Sequence, residues 1–344
     1  MRRQLNTVYV TTEGAWLRKD GENLVMELER EERARIPIHL LEGLVCFGRV
    51  ALSPSLMGHC LEKGVAISHL SAHGRFLARV EGPVSGNVLL RREQYRCSDD
   101  PEKTAEIVQH LLVGKTHNQR TALVRGAREA GVGIDRATAL RHAADRVGRI
   151  PRRLLVERDI DRLRGLEGDA AQTYFSAFDH LIRVDEPRLR FAGRNRRPPR
   201  DPVNALLSFF YTLLTHDVRS ALETVGLDPA VGFLHRDRPG RPSLALDLSE
   251  ELRPVLADRL TLSMINRRQL SVEDFHWYEN GAVMIEDGAR KRVLTAYQER
   301  KREELTHAFL EERIPLGLVP YVQAQLLARH LRGDLNRYPP FLWR

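Results

Sequence analysis

The sequence predicts an α+β fold, a small β-rich N-terminal domain over residues 1–85 followed by a larger all-α C-terminal domain over residues 86–344. Three observations predict it. The first 80 or so residues read as β-rich, in short strand-like runs punctuated by turn residues such as Asp20-Gly21. Beyond residue 85 the apolar positions recur at helical spacing. Between the two, Glu81-Gly82-Pro83 and Ser85-Gly86 carry the turn residues of a short linker. A chain of 344 residues suits two unequal domains, and 42% apolar with 29% charged residues is enough to build a core.

Taken in order, Thr7 to Thr12 and Ala15 to Lys19 read as strands, and Asp20-Gly21 is a hairpin turn signal leading into Asn23 to Glu29. Further strands are expected at Gly43 to Phe47, Val65 to Leu70 and Arg75 to Glu81. One helix interrupts them: Ser53 caps it, Pro54 opens it, Leu56, Met57, Cys60 and Leu61 form its apolar stripe, and Gly64 ends it. Helices follow at Val88 to Arg96, Pro101 to Val113, Asn118 to Ala130 and Ala137 to Val147, with a longer pattern from Arg153 through Ile182. The stretch Arg190 to Pro202, rich in arginine and proline, cannot be a regular helix and reads as a mobile or ligand-ordered loop. Core helices are expected at Val203 to Thr215 and from Val218 towards Val225. A turn at Arg238-Pro239-Gly240 then precedes Leu244 to Leu248 and a further helical region. The aromatic run Phe275-His276-Trp277-Tyr278, like His216, reads as core or groove packing.

Composition narrows the function classes. Net charge is +8, and arginine supplies 48 of the 54 basic residues, lysine only six. Guanidinium groups match phosphate with a planar fork, which favours a nucleic-acid partner; a base-composition bias in the genome gives the same excess. Three cysteines, Cys46, Cys60 and Cys97, with no C-x-x-C pair exclude a disulfide framework and a zinc finger. The longest apolar stretch, Ala205 to Leu214, is about half of the ~20 residues a membrane span needs. Met1-Arg2-Arg3-Gln4 leads into an alternating segment rather than a secretory signal, so a soluble, cytoplasmic protein with no membrane partner is expected. Gly114-Lys115-Thr116 resembles the end of a phosphate-binding loop, but Gln109 stands where its first glycine belongs. Gly131-Val132-Gly133 lacks the rest of a dinucleotide fingerprint, and H-E-x-x-H is absent.

Three segments carry chemistry. In Arg164-Gly165-Leu166-Glu167-Gly168 a carboxylate stands between two glycines, and Glu167, Ala170, Ala171 and Tyr174 share a helix face. Gly232-Phe233-Leu234-His235 ends an apolar approach in an imidazole, followed by Arg236, Arg238 and Arg241. Asp247, Glu250 and Glu251 fall at i, i+3 and i+4. Each segment has a structural reading: a salt bridge for Glu167, a satisfied histidine, and an Asp247-x-x-Glu250 capping box. Together, two or three carboxylates and one imidazole suit Mn²⁺ or Mg²⁺ and metal-assisted phosphodiester chemistry, with the arginines holding adjacent phosphates.

At these segments the chain resembles the CRISPR-associated adaptation integrase family, the larger, catalytic subunit of the spacer-acquisition complex. The match runs through Arg164 to Gly168 with Ala170, Ala171 and Tyr174, then Gly232 to His235, then Ser243 to Pro254. The resemblance implies that Glu167, His235 and Glu250 are catalytic residues and ligands of Mg²⁺ or Mn²⁺, with Asp247 a supporting acid that caps the helix. It implies a metal-dependent endonuclease and integrase that joins 3′-OH ends of short DNA fragments into a CRISPR array by transesterification. It also implies cleavage of double-stranded and branched DNA, homodimers formed through the β-rich domain, and a heterohexamer with the smaller adaptation subunit. Ser249 stands where many relatives carry a larger apolar residue. The rival readings are a non-catalytic nucleic-acid scaffold and a metal hydrolase of a small phosphoester. The loop Arg194 to Arg200, including Arg196, Arg197 and Arg200, is expected to order on DNA.

Overall fold

The computed structural model describes residues 7–72, 76–82, 88–129, 134–195 and 197–343. The chain divides into two compact units, Met1–Ser85 with Asp287–Gln298, and Gly86–Glu286 with Glu299–Arg344. The expected linker lies mostly outside the described residues, as do Arg196, Gly131-Val132-Gly133 and the first six residues. Residues 287–298, placed by sequence in the 86–344 domain, group with the first unit; no change of composition marks that exchange in the chain.

The first unit holds two four-stranded sheets. Strands β1 (Thr7–Val10), β5 (Gly43–Phe47) and β7 (Ala66–Leu70) run parallel, with β8 (Phe76–Val80) antiparallel at the edge. The second sheet has the order β4 (Glu31–Pro37), β3 (Asn23–Leu28), β2 (Trp16–Asp20) and β6 (Ala51–Leu52). Leu17, Leu24, Leu44, Cys46 and Ile67, with Leu56 and Cys60 of α1 (Pro54–Glu62), close one core between them. Ser53 caps α1 by accepting from Leu56 N at 3.3 Å, as its sequence predicts. Sequence reading passes over β4 for a physical reason. Its outer residues are charged, as solvent-facing edge strands are, and its hairpin turn uses Glu29 and Arg30 at positive φ instead of glycine or asparagine.

The second unit is mainly helical. Helix α2 (Val88–Asp99) leads to α3 (Pro101–Glu129), which packs with α4 (Ile134–Leu154) and α5 (Ile160–Ser176). The two helices expected at 101–113 and 118–130 are one, because Gly114 serves packing and not a break. A Cβ there would lie 2.7 Å from Glu251 Oε2. The pattern from Arg153 to Ile182 is instead interrupted, and Asp159 caps α5 by accepting from Arg162 N at 2.8 Å. Helix α6 (Pro202–Val225) runs unbroken through His216-Asp217, from an Asp201 cap to Gly226 at φ 87°, and packs on α7 (Ser243–Ser249) and α10 (Val319–Leu331). A π-helical turn over Arg253–Asp258 joins α7 to α8 (Arg259–Asn266). The unit is not entirely helical. It also holds two short hairpins, β9 (Phe275–Trp277) with β10 (Val283–Ile285) and β11 (Glu304–Thr306) with β12 (Arg313–Pro315), which in chain order precede and follow α9 (Asp287–Arg302). Of the aromatic run on β9, only Phe275 enters the core, while Trp277 and Tyr278 are exposed. The three cysteines are free and buried, and no helix of the described residues is long and apolar enough to cross a membrane.

Candidate active site

Helix α5 and the two segments 232–241 and 250–253 converge on one cavity of about 470 Å³. Glu167, His235 and Glu250 line it, together with Leu234 and the guanidinium-bearing Arg164, Arg236, Arg238, Arg241 and Arg253. Of the acid and imidazole residues singled out in the sequence, Glu167, His235 and Glu250 thus reach the same space, although far apart in the chain, and Asp247 and Glu251 do not line it.

Asp247 organises the histidine. It is fully buried, and its Oδ2 accepts from Phe233 N at 2.6 Å and Leu234 N at 2.9 Å. Its Oδ1 accepts from His235 N at 3.0 Å and faces His235 Nδ1 at 2.6 Å. The other partners of Asp247 are all backbone N–H donors, so it acts as the acceptor from His235 Nδ1, and Nε2 keeps its lone pair. Gly232 is required for this approach, since a Cβ there would lie 2.8 Å from Asp247 Oδ2. The capping reading of Asp247 is therefore corrected. It sits near the end of α7 and gathers the 233–235 loop rather than opening a helix. From the other side Arg164, one turn before Glu167, donates Nε to Leu234 O at 2.8 Å and ties the histidine loop to α5.

Glu250 and Glu251 diverge, because α7 ends at Ser249. Glu251 is buried away from the cavity, accepting from Tyr338 Oη, from Gln323 Nε2 at 3.2 Å and from Phe341 N at 2.6 Å. Burial outweighs those donors and pushes its carboxyl up to about 8. Glu250 faces two cations: its Oε1 pairs with Arg253, and its Oε2 lies 2.6 Å from Lys115 Nζ. Burial disfavours its charge, but Arg253 and Lys115 prevail and hold it below the usual carboxylate range. Arg253 in turn lies over the Tyr211 ring at 4.8 Å, and Tyr211 donates to Asp258 at 2.7 Å.

Lys115 is the residue that sequence reasoning missed. Its ammonium, nearly buried, bridges Glu167 Oε1 and Glu250 Oε2. Burial opposes its charge, yet Glu250 and Glu167 together raise its pKa. The available signal was a lysine in a chain that otherwise prefers arginine, set next to a glycine inside an apolar helical pattern. Among the described residues, no three of His, Cys, Asp and Glu stand close enough together to hold a metal ion. The donors nevertheless fit one chemically. Two carboxylates and an Nε2 lone pair are the oxygen and nitrogen set of Mg²⁺ or Mn²⁺.

The Arg190 to Pro202 stretch is irregular, as expected, but Arg194 turns inward. It donates to Asn204 Oδ1 and Asn195 O, both at 2.6 Å, and lies over the Tyr211 ring at 5.2 Å. Arg197 and Arg200 are exposed.

Comparison with known proteins agrees with this architecture. The family model described as CRISPR associated protein Cas1 matches residues 8–299. The CRISPR-associated endonuclease Cas1 2 of Rhodospirillum rubrum is 60% identical over 347 residues, covering all of both chains. The CRISPR-associated endonuclease Cas1 1 of Chlorobaculum tepidum is 52% identical over 344 residues, again covering both completely. A solved CAS1 protein from Thermotoga maritima superposes with a TM-score of 0.81 at 25% identity, covering 95% of this chain and 97% of that one. A casposase bound to an integration product shares the fold, with a TM-score of 0.82 at 20% identity over 98% of this chain and 94% of that one. The chain, with its β-rich first unit and its Glu167–His235–Glu250 cavity in a helical second, belongs to the Cas1 family of CRISPR-associated proteins.

Proposed function

We propose that this protein is a divalent-metal-dependent DNA endonuclease and integrase, which inserts short DNA fragments into a CRISPR array by transesterification from a 3′-OH. The observation that carries the reading is the convergence of Glu167, His235 and Glu250 on a single arginine-lined cavity. Its relatives of 60% and 52% identity are named endonucleases, and the fold is shared with a casposase bound to its integration product. Glu167, His235 and Glu250 would hold the Mg²⁺ or Mn²⁺. Such an ion supplies charge stabilisation on the attacking and leaving oxygens of an in-line phosphoryl displacement.

The chain's own residues do the rest. Asp247 fixes the His235 tautomer, and Arg164 holds the histidine loop at a set distance from Glu167. Arg236, Arg238 and Arg241, which line the cavity, would bind the DNA phosphates on either side of the reacting one, contacts that position a duplex without reading its sequence. A solved Cas6-RT-Cas1–Cas2 complex contains the same fold. The assembly proposed for this protein is a homodimer through the β-rich unit, with two dimers flanking a dimer of the smaller adaptation subunit in the cytoplasm.

One observation favours the rival scaffold reading: the acids are already paired, Glu167 with Lys115 and Glu250 with Lys115 and Arg253. Labelled duplex and branched DNA incubated with Mn²⁺ separates the two. The wild type is expected to cut and join, and His235→Ala to bind DNA equally while losing about 100-fold or more of the activity. A wild type that binds but neither cuts nor joins is a scaffold. If unlabelled DNA does not compete with the activity, the substrate is a small phosphoester.

A further inference from the structure

Lys115 lies between two of the three residues proposed to hold a dication. Its Nζ contacts Glu167 Oε1 and lies 2.6 Å from Glu250 Oε2, with only 7% of the side chain exposed. Two carboxylates brought together without a cation repel one another and cannot both stay ionised in a buried site. Lys115 solves that problem for the metal-free chain.

Both of its partners have other surroundings. Glu250 has Arg253 on its other oxygen and keeps a counter-charge when the lysine is gone. Glu167 is about a quarter exposed and faces the cavity. Lysine is also the right cation for exchange. Its charge is compact, sits on a flexible four-carbon stem and makes no bidentate lock, whereas arginine's fork would. In a chain with 48 arginines and six lysines, a lysine is found here.

We propose that Lys115 is a resident counter-cation, which holds Glu167 and Glu250 together in the metal-free protein and is displaced when a divalent ion binds them. The inference rests on the reading of these acids as metal ligands. It makes Lys115 a positioning residue and a competitor of the ion. Metal affinity is therefore set by an exchange of one cation for another, not by filling an empty pocket.

The test uses the full chain, stripped of metal. Mn²⁺ is titrated calorimetrically into wild type, Lys115→Met and His235→Ala, and each is melted with and without Mn²⁺. Removing one positive charge a few ångströms from the ion's position is expected to tighten Mn²⁺ binding about tenfold or more. Lys115→Met should melt lower than wild type without metal and gain more from Mn²⁺. A lysine with a merely structural role would give weaker binding, so Mn²⁺ binding by Lys115→Met no tighter than wild type overturns the proposal. Binding by neither wild type nor Lys115→Met, or equal binding by His235→Ala, removes the metal reading itself. Should Lys115→Met fail to fold, brief acetylation of the wild type followed by mass spectrometry decides. Mn²⁺ is expected to raise Lys115 modification several-fold, and an unchanged or reduced yield rejects displacement.

Discussion

Asp247 Oδ1 takes two hydrogen bonds from one residue, His235: the backbone N–H at 3.0 Å and the imidazole Nδ1 at 2.6 Å. One carboxylate oxygen therefore sets both where the ring sits and which nitrogen carries the proton. The acid is fully buried and does not line the cavity, so it acts there through the histidine.

Asp247→Asn separates these duties. An amide keeps one accepting oxygen but turns a donor towards N–H groups that already donate. It should cost roughly 2–4 kcal/mol of stability by leaving a buried contact unsatisfied. Mn²⁺ affinity should fall about 10- to 100-fold through loss of the supporting bond. Urea unfolding and Mn²⁺ titration of the same preparation report the two, and unchanged affinity would show that Asp247 serves the loop alone.

Glu251 predicts a pH dependence of stability. Its carboxyl is raised to about 8 by burial, so between its ordinary pKa and that value the folded state binds a proton that the unfolded state has lost. Stability from this group is thus greatest in acid and declines as pH rises from about 4.5 to about 8. Glu251→Gln should flatten that decline, narrowing its deficit relative to wild type as pH rises, as melting temperatures from pH 5 to 8.5 will show. Parallel curves for the two proteins would count against a protonated Glu251.

The arginines of the 190–202 segment should divide in their effects. Arg194 is bound to Asn204 and lies over Tyr211, so Arg194→Ala is expected to lower the melting temperature. Arg197 and Arg200 are exposed, and their joint replacement by alanine should weaken DNA binding without destabilising the chain. The slope of log affinity against log salt should drop by up to about 2, the value for two lost phosphate contacts. An unchanged slope would remove this loop from the DNA surface.

Arg164→Met tests the tether between α5 and the histidine loop. Losing the bond from Nε to Leu234 O should cost about 1–2 kcal/mol. If the tether matters for chemistry, DNA cleavage falls further than DNA affinity does, and equal losses would make Arg164 a phosphate contact only.

Much of the fold was legible because it depends on neighbours in the chain. The Ser53 cap with Pro54 marks a helix start through a bond only three residues long. The strands of the first unit are marked by short apolar runs set between turn residues such as Asp20-Gly21. The all-α expectation missed two hairpins in the second unit, whose three-residue strands are too short to show a period. The helix expected to end at Val113 runs on through Gly114, whose missing side chain admits Glu251, a contact with a residue far along the chain.

What the sequence determined by itself was the two-part architecture, the family to which the chain belongs, and the identity of Glu167, His235, Glu250 and Asp247 as the residues worth watching. Only the tertiary structure decided what each of them faces. It sent Glu251 into the core, turned Asp247 from a helix cap into the anchor of the histidine loop, and set Lys115 between two acids. Helical and strand periods are local, so they survive in a one-dimensional text. Charge pairing between distant segments has no period and no motif, and it exists only once packing has excluded water and brought the partners within a few ångströms.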